Sequence, residues 1–253
     1  MPHMPKSHAE LRLEEYKNQA LALVSQAGFP IVQEVEVQLD PKLPFMGYTT
    51  TTETGKALIV VAGFALESGM AINLIVHEMS HIYRTQTGHP SHNYQLLNSI
   101  GGWVMQGSVA YDYQQTIVET IINHIQDVYA DDISFAIFRQ NMSHENLSEF
   151  FMSWIHEPSK AKDPVRKQWE DAGNLLSTAF AESNLIRHKV KDEDKKVAKA
   201  VKAFLDKIDP HLKERYPFFK EFLVRMPEDV TDKEFESHLI KYLSEFLKLT
   251  KSK

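Results

Sequence analysis

The spacing of hydrophobic side chains changes along this chain, and that change constrains the fold more than any other feature. Val35, Val37 and Leu39 alternate with polar residues, at the two-residue period of a half-exposed strand. Residues 48–52 and 57–64 are rich in β-prone side chains, and the four residues between them predict a hairpin turn. Elsewhere apolar side chains recur mostly at helical spacing. The sequence therefore predicts an α+β protein that is mainly α, with a small N-terminal sheet.

Capping residues, glycines and prolines predict where the helices begin and end. One helix is predicted before the sheet, over residues 9–27, and the next begins at the N-cap Ser68 and runs to residue 87. Pro90 and the glycines between residues 89 and 107 predict loops around a short helix. The remaining predicted helices cover residues 111–139, 143–155, 164–187, 192–208, 210–224 and 231–249. Pro217 is expected to kink or split one of them.

The composition narrows the classes of protein to which the chain can belong. Its 253 residues, 43% of them hydrophobic, are enough for one large domain or two modest ones with a real core. The chain contains no cysteine, so any metal must be bound by imidazole or carboxylate rather than by thiolate. A net charge of −6 argues against a nucleic-acid partner.

The apolar segments of the sequence are short. The first residues lack the apolar run of a secretory signal. The longest apolar stretch, residues 57–66, has about half of the roughly 20 residues needed to cross a bilayer. These features predict a cytoplasmic protein without a membrane partner. The oligomeric state is not predicted by any feature of the sequence.

The helix predicted over residues 68–87 contains the pentapeptide His77-Glu78-Met79-Ser80-His81, which has the form H-E-x-x-H. Two histidines four residues apart lie on one face of a helix, where their imidazoles can bind one metal ion. Glu78 points toward the open side of that ion and can accept a proton from a metal-bound water. This pattern indicates zinc hydrolase chemistry, with His77 and His81 as metal ligands and Glu78 as a general base.

The H-E-x-x-H string alone is only moderately specific, since so short a motif also arises by chance. The apolar spacing around it places it within a helix, which favours the metal site. The alternative interpretation is that two histidines on a half-buried helix face simply find hydrogen-bond partners in a core.

A catalytic zinc normally has three protein ligands and one water, so a third ligand must come from outside this helix. Arg84 and Thr87 occupy the positions of the glycine and the third histidine in H-E-x-x-H-x-x-G-x-x-H, which disfavours the metzincin arrangement. The helix predicted over residues 111–139 instead carries polar side chains every four residues, at Glu119, Asn123, Asp127 and Asp131.

Asp127 and Asp131 would repel each other slightly on a solvated helix face, whereas a zinc ion nearby makes the pair favourable. In that arrangement Asp127 binds the metal, and Asp131 accepts the outward N–H of His77 or His81. Glu119 is an alternative third ligand, and another histidine or aspartate is a further one. The predicted cofactor is one zinc ion, although such donors also bind iron, manganese and cobalt.

The segments His77–His81 and Asp127-Val128-Tyr129-Ala130-Asp131 together resemble the gluzincin metallopeptidases, in which H-E-x-x-H is followed by E-x-x-A-D. The resemblance covers about residues 30–140. It implies that the acidic residue opening the second motif is the third zinc ligand and that the closing aspartate supports a ligand histidine. The chain departs from the pattern by having Asp127, one methylene shorter, in place of glutamate.

The gluzincin resemblance also implies a fold and a function. The expected fold is a zincin-like core over residues 1–140, with the sheet packed on the motif helix, followed by a helical region over residues 141–253. A run of charges near residue 190 marks a candidate subdomain boundary. The implied activity is that of a zinc metallopeptidase acting on a peptide or protein substrate, which pairs with an edge strand for which residues 57–64 are the candidate.

Two other functions remain open at this point: a non-catalytic zincin-like scaffold with a regulatory or protein-binding role, and a helical interaction protein without metal. The donor that would stabilise the oxyanion in a peptidase is also open. The candidates considered for it are Tyr83, Tyr94, His156 and His188.

Overall fold

The computed structural model describes residues 7–141 and 144–251. These residues form a three-stranded sheet and are otherwise mainly helical, as the sequence predicts. The strands are β1 (Val35–Asp40), β2 (Gly47–Thr51) and β3 (Ala57–Ala62). The helices are α1 (His8–Gln26), α2 (Gly63–Glu67), α3 (Ala71–Gln86), α4 (Tyr94–Ser108), α5 (Asp112–Asn141), α6 (His144–Met152), α7 (Pro164–Arg187), α8 (Lys196–Leu205), α9 (Pro210–Val224) and α10 (Asp232–Leu249).

The elements group into two compact units. The first comprises the chain up to residue 89 together with Ala130–Asn141, and the second comprises Pro90–Tyr129 and the chain from residue 142 onward. The division falls within α5, which is a single continuous helix. The assignment of residues 1–140 to a catalytic core stays a prediction. No helix among the described residues is both long and apolar enough to span a membrane.

The sheet of the first unit has the strand order β1-β3-β2. The predicted hairpin is confirmed, because β2 and β3 are antiparallel neighbours. Its turn contains Gly55, whose φ of +83° favours glycine, and is closed by the hydrogen bond from Thr52 N to Lys56 O. Strand β1 pairs with the other side of β3 in the parallel direction.

The segment expected to pair with a substrate, residues 57–64, forms the central strand β3 and then the start of α2. Both sides of β3 are already hydrogen-bonded, to β1 and to β2. A peptide cannot add to a strand whose backbone groups are occupied, so this prediction was wrong. Among the described strands, the free sides belong to β1 and β2.

Helix α3 packs against β2 and β3 of the sheet and against α1. Its buried stripe is continuous, with Ile75, Val76 and Met79 all fully buried. The helix ends before Gly88, as predicted, but it begins at Ala71 rather than at Ser68. Ser68 instead closes the short helix α2, where its Oγ donates a hydrogen bond to Ala65 O at 2.9 Å.

The predicted loops between residues 89 and 107 are wrong, because most of this segment forms the 15-residue helix α4. Asn93 caps its start by accepting a hydrogen bond from Leu96 N at 3.2 Å. Gly101 and Gly102 lie inside the helix rather than ending it. Tertiary packing overrides their low helix propensity, since the neighbouring Ile100 is 2% exposed.

The helices of the C-terminal region begin and end close to the predicted positions. Both α7 and α9 start at a proline preceded by a capping aspartate and match the prediction at both ends. Pro217 lies within α9 without splitting it. The helix predicted from Asp192 starts later, at Lys196, because the Asp192 carboxylate accepts hydrogen bonds from the backbone N–H groups of Val197 and Ala198. A helix predicted over residues 143–155 ends earlier, at Met152, and its predicted start lies outside the described residues.

Candidate metal centre

The two histidines of the H-E-x-x-H motif come together on one face of α3. His77 and His81 are one helical turn apart, and their Nε2 atoms are separated by 3.2 Å. Both residues are half-buried, so the pair is held by the helix and remains accessible from solvent. The alternative interpretation, two histidines that find hydrogen-bond partners on a half-buried helix face, is equally compatible with this exposure.

Helix α5 brings Asp131 to the same histidine pair. Its Oδ1 lies 3.1 Å from His77 Nδ1, and its side chain is only 2% exposed. A second contact joins the same helices, since the buried hydroxyls of Ser80 and Ser134 are 3.1 Å apart. Both contacts connect residues separated by 54 positions, so the two helices run in the same direction here. This paired contact fixes α5 against α3.

The carboxylate of Asp127 lies one turn before Asp131 on the continuous helix α5. One ligand atom from each of His77, His81 and Asp127 lies within 4.8 Å of the others, and all three residues are half-buried. Among the described residues, this is the one group of three such side chains placed to hold a metal ion. Glu119, the alternative ligand, is outside the group; it is exposed and accepts a hydrogen bond from Gln115 Nε2 at 2.8 Å.

The spacing of the two nitrogen atoms fits a tetrahedral metal. Zinc binds imidazole nitrogen at about 2.0–2.1 Å, which puts two such ligands about 3.3 Å apart. The observed 3.2 Å between the Nε2 atoms agrees with that value. The Asp131 carboxylate lies against His77 Nδ1, a contact that favours a proton on Nδ1 and leaves Nε2 as the atom that faces His81 Nε2. The two nitrogen atoms therefore have the spacing that a tetrahedral metal requires.

Comparison with models of protein families identifies the family of this chain. A family model described as "Family of unknown function (DUF5781)" matches residues 24–248, a range that contains both motifs. The chain belongs to this family. No protein with curated annotation and no solved structure matches it. The description of this family assigns no activity.

The carboxylate of Glu78 in this DUF5781 protein is held from the sheet. Glu78 is 6% exposed, and its Oε2 accepts a hydrogen bond of 2.8 Å from Thr49 Oγ1 on β2. Sequence reasoning did not identify Thr49. The sequence showed only that Thr49 lies in a β-prone segment, and this does not indicate which helix residue its hydroxyl contacts.

A third histidine, His124 on α5, is buried one turn before Asp127 in the second unit. Burial lowers the pKa of His124 to about 4, a shift that the negative charge of Asp127 partly opposes. Its ring stacks on Phe180, with the ring centroids 4.7 Å apart, and meets the edge of Trp154 at 5.3 Å. His124 is therefore neutral near pH 7 and belongs to an aromatic core rather than to the metal cluster.

Of the four side chains considered as oxyanion donors, neither histidine belongs to the group of described residues that could hold a metal ion. The ring of Tyr83 packs edge-on against Phe29, with centroids 5.3 Å apart. Tyr94 is 76% exposed, whereas His188 is buried. Burial lowers the pKa of His156. None of these observations singles out one of them as the donor.

Proposed function

We propose that this DUF5781 protein is a zinc-dependent metallopeptidase built on a zincin-like core. The observation that carries the proposal is the convergence of His77, His81 and Asp127 within 4.8 Å, with Glu78 between the two histidines in the sequence. A scaffold that merely packs two helices together has no use for three half-buried metal-binding side chains facing one point.

The three protein donors leave one tetrahedral position for water, which is the composition of a catalytic rather than a structural zinc site. Zinc bound there would polarise a carbonyl group and lower the pKa of bound water toward about 7. Asp131 holds the imidazole of His77 with its Nε2 lone pair directed inward. Asp127, although one methylene shorter than the glutamate of the gluzincin pattern, reaches this group.

Glu78 supplies the acid–base chemistry in this proposal. Its carboxylate accepts a proton from the attacking water and then delivers that proton to the leaving amine of the substrate. The residue is adjacent in sequence to the ligand His77, and its 6% exposure keeps the carboxylate away from bulk solvent. A base in this environment transfers protons to the bound substrate rather than to water.

A peptide is the substrate class that suits the sheet beside α3. Strand β2 has a free side among the described residues, since its one partner is β3, and it contacts α3. An extended peptide can add to such a side by backbone hydrogen bonds. The proposal thus names a peptide or protein substrate, no nucleic acid and no membrane partner, and a cytoplasmic location.

Paired measurements of metal content and peptidase activity test this function. Purified wild-type protein should carry near-stoichiometric zinc by elemental analysis and should cleave members of a mixed peptide library, read by mass spectrometry. The Glu78→Gln variant should keep its zinc and lose activity by about 100-fold or more. Glu67→Gln, at an exposed site on α2, is the matched control and should retain activity.

Two results would overturn the proposal. Zinc-loaded wild-type protein that cleaves no library member favours the non-catalytic scaffold, and protein that binds no zinc favours a helical protein without metal. Activity that survives in folded Glu78→Gln protein would exclude general-base catalysis by this residue.

A further inference from the structure

The strand β2 contacts the proposed general base through one side chain. We propose that Thr49 is a positioning residue that holds the Glu78 carboxylate in its reactive orientation; this inference rests on the proposed peptidase function. Thr49 Oγ1 lies 2.8 Å from Glu78 Oε2 and 3.3 Å from Glu78 O. A threonine hydroxyl has one proton to donate, and the shorter distance assigns that proton to the carboxylate.

The backbone of β2 determines where this hydroxyl lies. Side chains two residues apart in a strand share one face, so Gly47 and Thr49 both face α3. A Cβ atom built on Gly47 would stand 2.9 Å from the side chain of Leu74, which lies one helical turn before Glu78. The absence of a side chain at Gly47 lets α3 approach the strand closely. Thr49 lies two residues after Gly47 on the same face of β2, and Glu78 lies one turn after Leu74 on α3, so these two side chains come into contact.

The register of the sheet holds Thr49 in place. Thr49 pairs with Ile59 of the central strand β3, and Ile59 is fully buried. A slip of β2 by one residue would turn Thr49 to the opposite face of the sheet, away from α3. The hydroxyl is therefore fixed by the main chain rather than by a flexible loop, which is the support that a reactive group requires.

The contact gives the two carboxylate oxygens of Glu78 different roles. Oε2 is engaged by the Thr49 hydroxyl, so Oε1 is the oxygen left to accept a proton from water. Without the hydroxyl, the carboxylate can rotate about its terminal torsion, which has broad minima. A misplacement of about 1 Å in a reacting group can lower a rate by about 100-fold. The role of Thr49 is thus in the rate of the reaction and not in metal binding.

The test compares Thr49→Val with Thr49→Ser. Valine keeps the shape and has high strand propensity, so the variant should fold, but it lacks the hydroxyl. We expect Thr49→Val to lower kcat by about 10–100-fold with KM and zinc content close to wild type. Thr49→Ser keeps the hydroxyl and should restore most of kcat. Wild-type kcat in Thr49→Val, or a serine variant as impaired as the valine variant, would overturn the proposal.

Crystal structures of the same variants provide a readout that does not depend on activity. The Glu78 carboxylate should keep its orientation in Thr49→Ser and leave it in Thr49→Val. If the wild-type protein proves to have no peptidase activity, the proposed function fails by itself, and these structures still decide whether Thr49 orients Glu78. A carboxylate in the wild-type position in Thr49→Val would show that the hydroxyl has no positioning role.

Discussion

At the scale of single residues, Asp131 controls how His77 presents its imidazole. Its Oδ1 lies 3.1 Å from Nδ1, a contact that favours a proton on Nδ1 and so directs the Nε2 lone pair toward any metal bound at the site. The Asp131→Asn variant keeps the shape of the side chain but removes its charge. We expect it to lower the zinc affinity by about 10–100-fold, measured by competition with a chromophoric chelator.

The neighbouring aspartate provides the control for this change. Asp132→Asn removes the same charge from the same helix at a position about 100° around its axis, outside the group of described residues that could hold a metal ion. Its zinc affinity should stay close to wild type. Equal losses in the two variants would mean that net charge, and not the contact to His77, determines the affinity.

The buried His124 makes stability depend on pH. Its pKa is lowered to about 4 in the folded protein, whereas histidine in an unfolded chain titrates near about 6.5. Between these values the unfolded chain binds a proton that the folded protein does not. The unfolding free energy is therefore highest above about pH 6.5 and decreases as the pH is lowered toward about 4. We expect this residue to cost about 2 kcal/mol of unfolding free energy between pH 7 and pH 5.

Urea unfolding at several pH values measures this effect. The variant His124→Phe keeps an aromatic ring against Phe180 and Trp154 but cannot be protonated. Its unfolding free energy should therefore fall less than that of the wild type between pH 6.5 and pH 5. If both proteins showed the same slope, the proton that drives the wild-type transition would have to bind elsewhere.

At the scale of elements, the packing of α3 on β2 depends on Gly47. A Cβ atom at this position would stand 2.6 Å from Val60 O and 2.9 Å from Leu74 Cδ2, so strand or helix must shift. We expect Gly47→Ala to destabilise the protein by about 1–3 kcal/mol, measured by urea unfolding.

A second glycine supplies the comparison for this substitution. Gly102 lies inside α4, and an added Cβ there meets no atom within 4 Å. Gly102→Ala should be neutral or stabilise the protein by up to about 1 kcal/mol, because alanine is the better helix former. Similar destabilisation by both substitutions would exclude close packing at Gly47 as the cause.

Elements whose ends are set by local chemistry are predictable from this sequence. The starts of α7 and α9 follow from Asp163-Pro164 and Asp209-Pro210, since the capping interactions involve residues only a few positions apart. The same local rule places His77 and His81 on one face of a helix. Contacts between distant segments are different, because spacing along the chain does not determine them.

The incorrect predictions show where tertiary packing decides. The strand of residues 57–62 became the centre of the sheet because β1 pairs with it in parallel, a long-range contact that hairpin patterns do not reveal. The helix α4 contains two glycines that local propensity would exclude from a helix. The hydrogen bond between Thr49 and Glu78 is also a long-range contact, which depends on how β2 packs against α3. The four-residue spacing of polar side chains and the gluzincin resemblance both pointed to Asp127, whose carboxylate lies close to His77 and His81.

At the scale of the whole molecule, the metal would act as a stabilising ligand. The chain lacks cysteine, so no disulfide contributes to its stability and a zinc ion must bind to nitrogen and oxygen donors. These donors come from α3 and α5, which are distant in sequence. Unfolding separates them, so an ion that binds the folded site with high affinity loses most of that affinity in the unfolded chain.

Zinc should therefore raise the melting temperature of the metal-free protein. At a free zinc concentration 100 times Kd, binding adds about 2.7 kcal/mol to stability, and in a chain of this length each 1 kcal/mol corresponds to about 2–4 °C. Differential scanning fluorimetry after chelation and zinc addition should show a shift of about 5–10 °C. Magnesium, which prefers oxygen donors, should give little shift, and so should zinc added to His81→Asn. A zinc-induced shift of equal size in His81→Asn would place the bound ion outside the cluster of His77, His81 and Asp127.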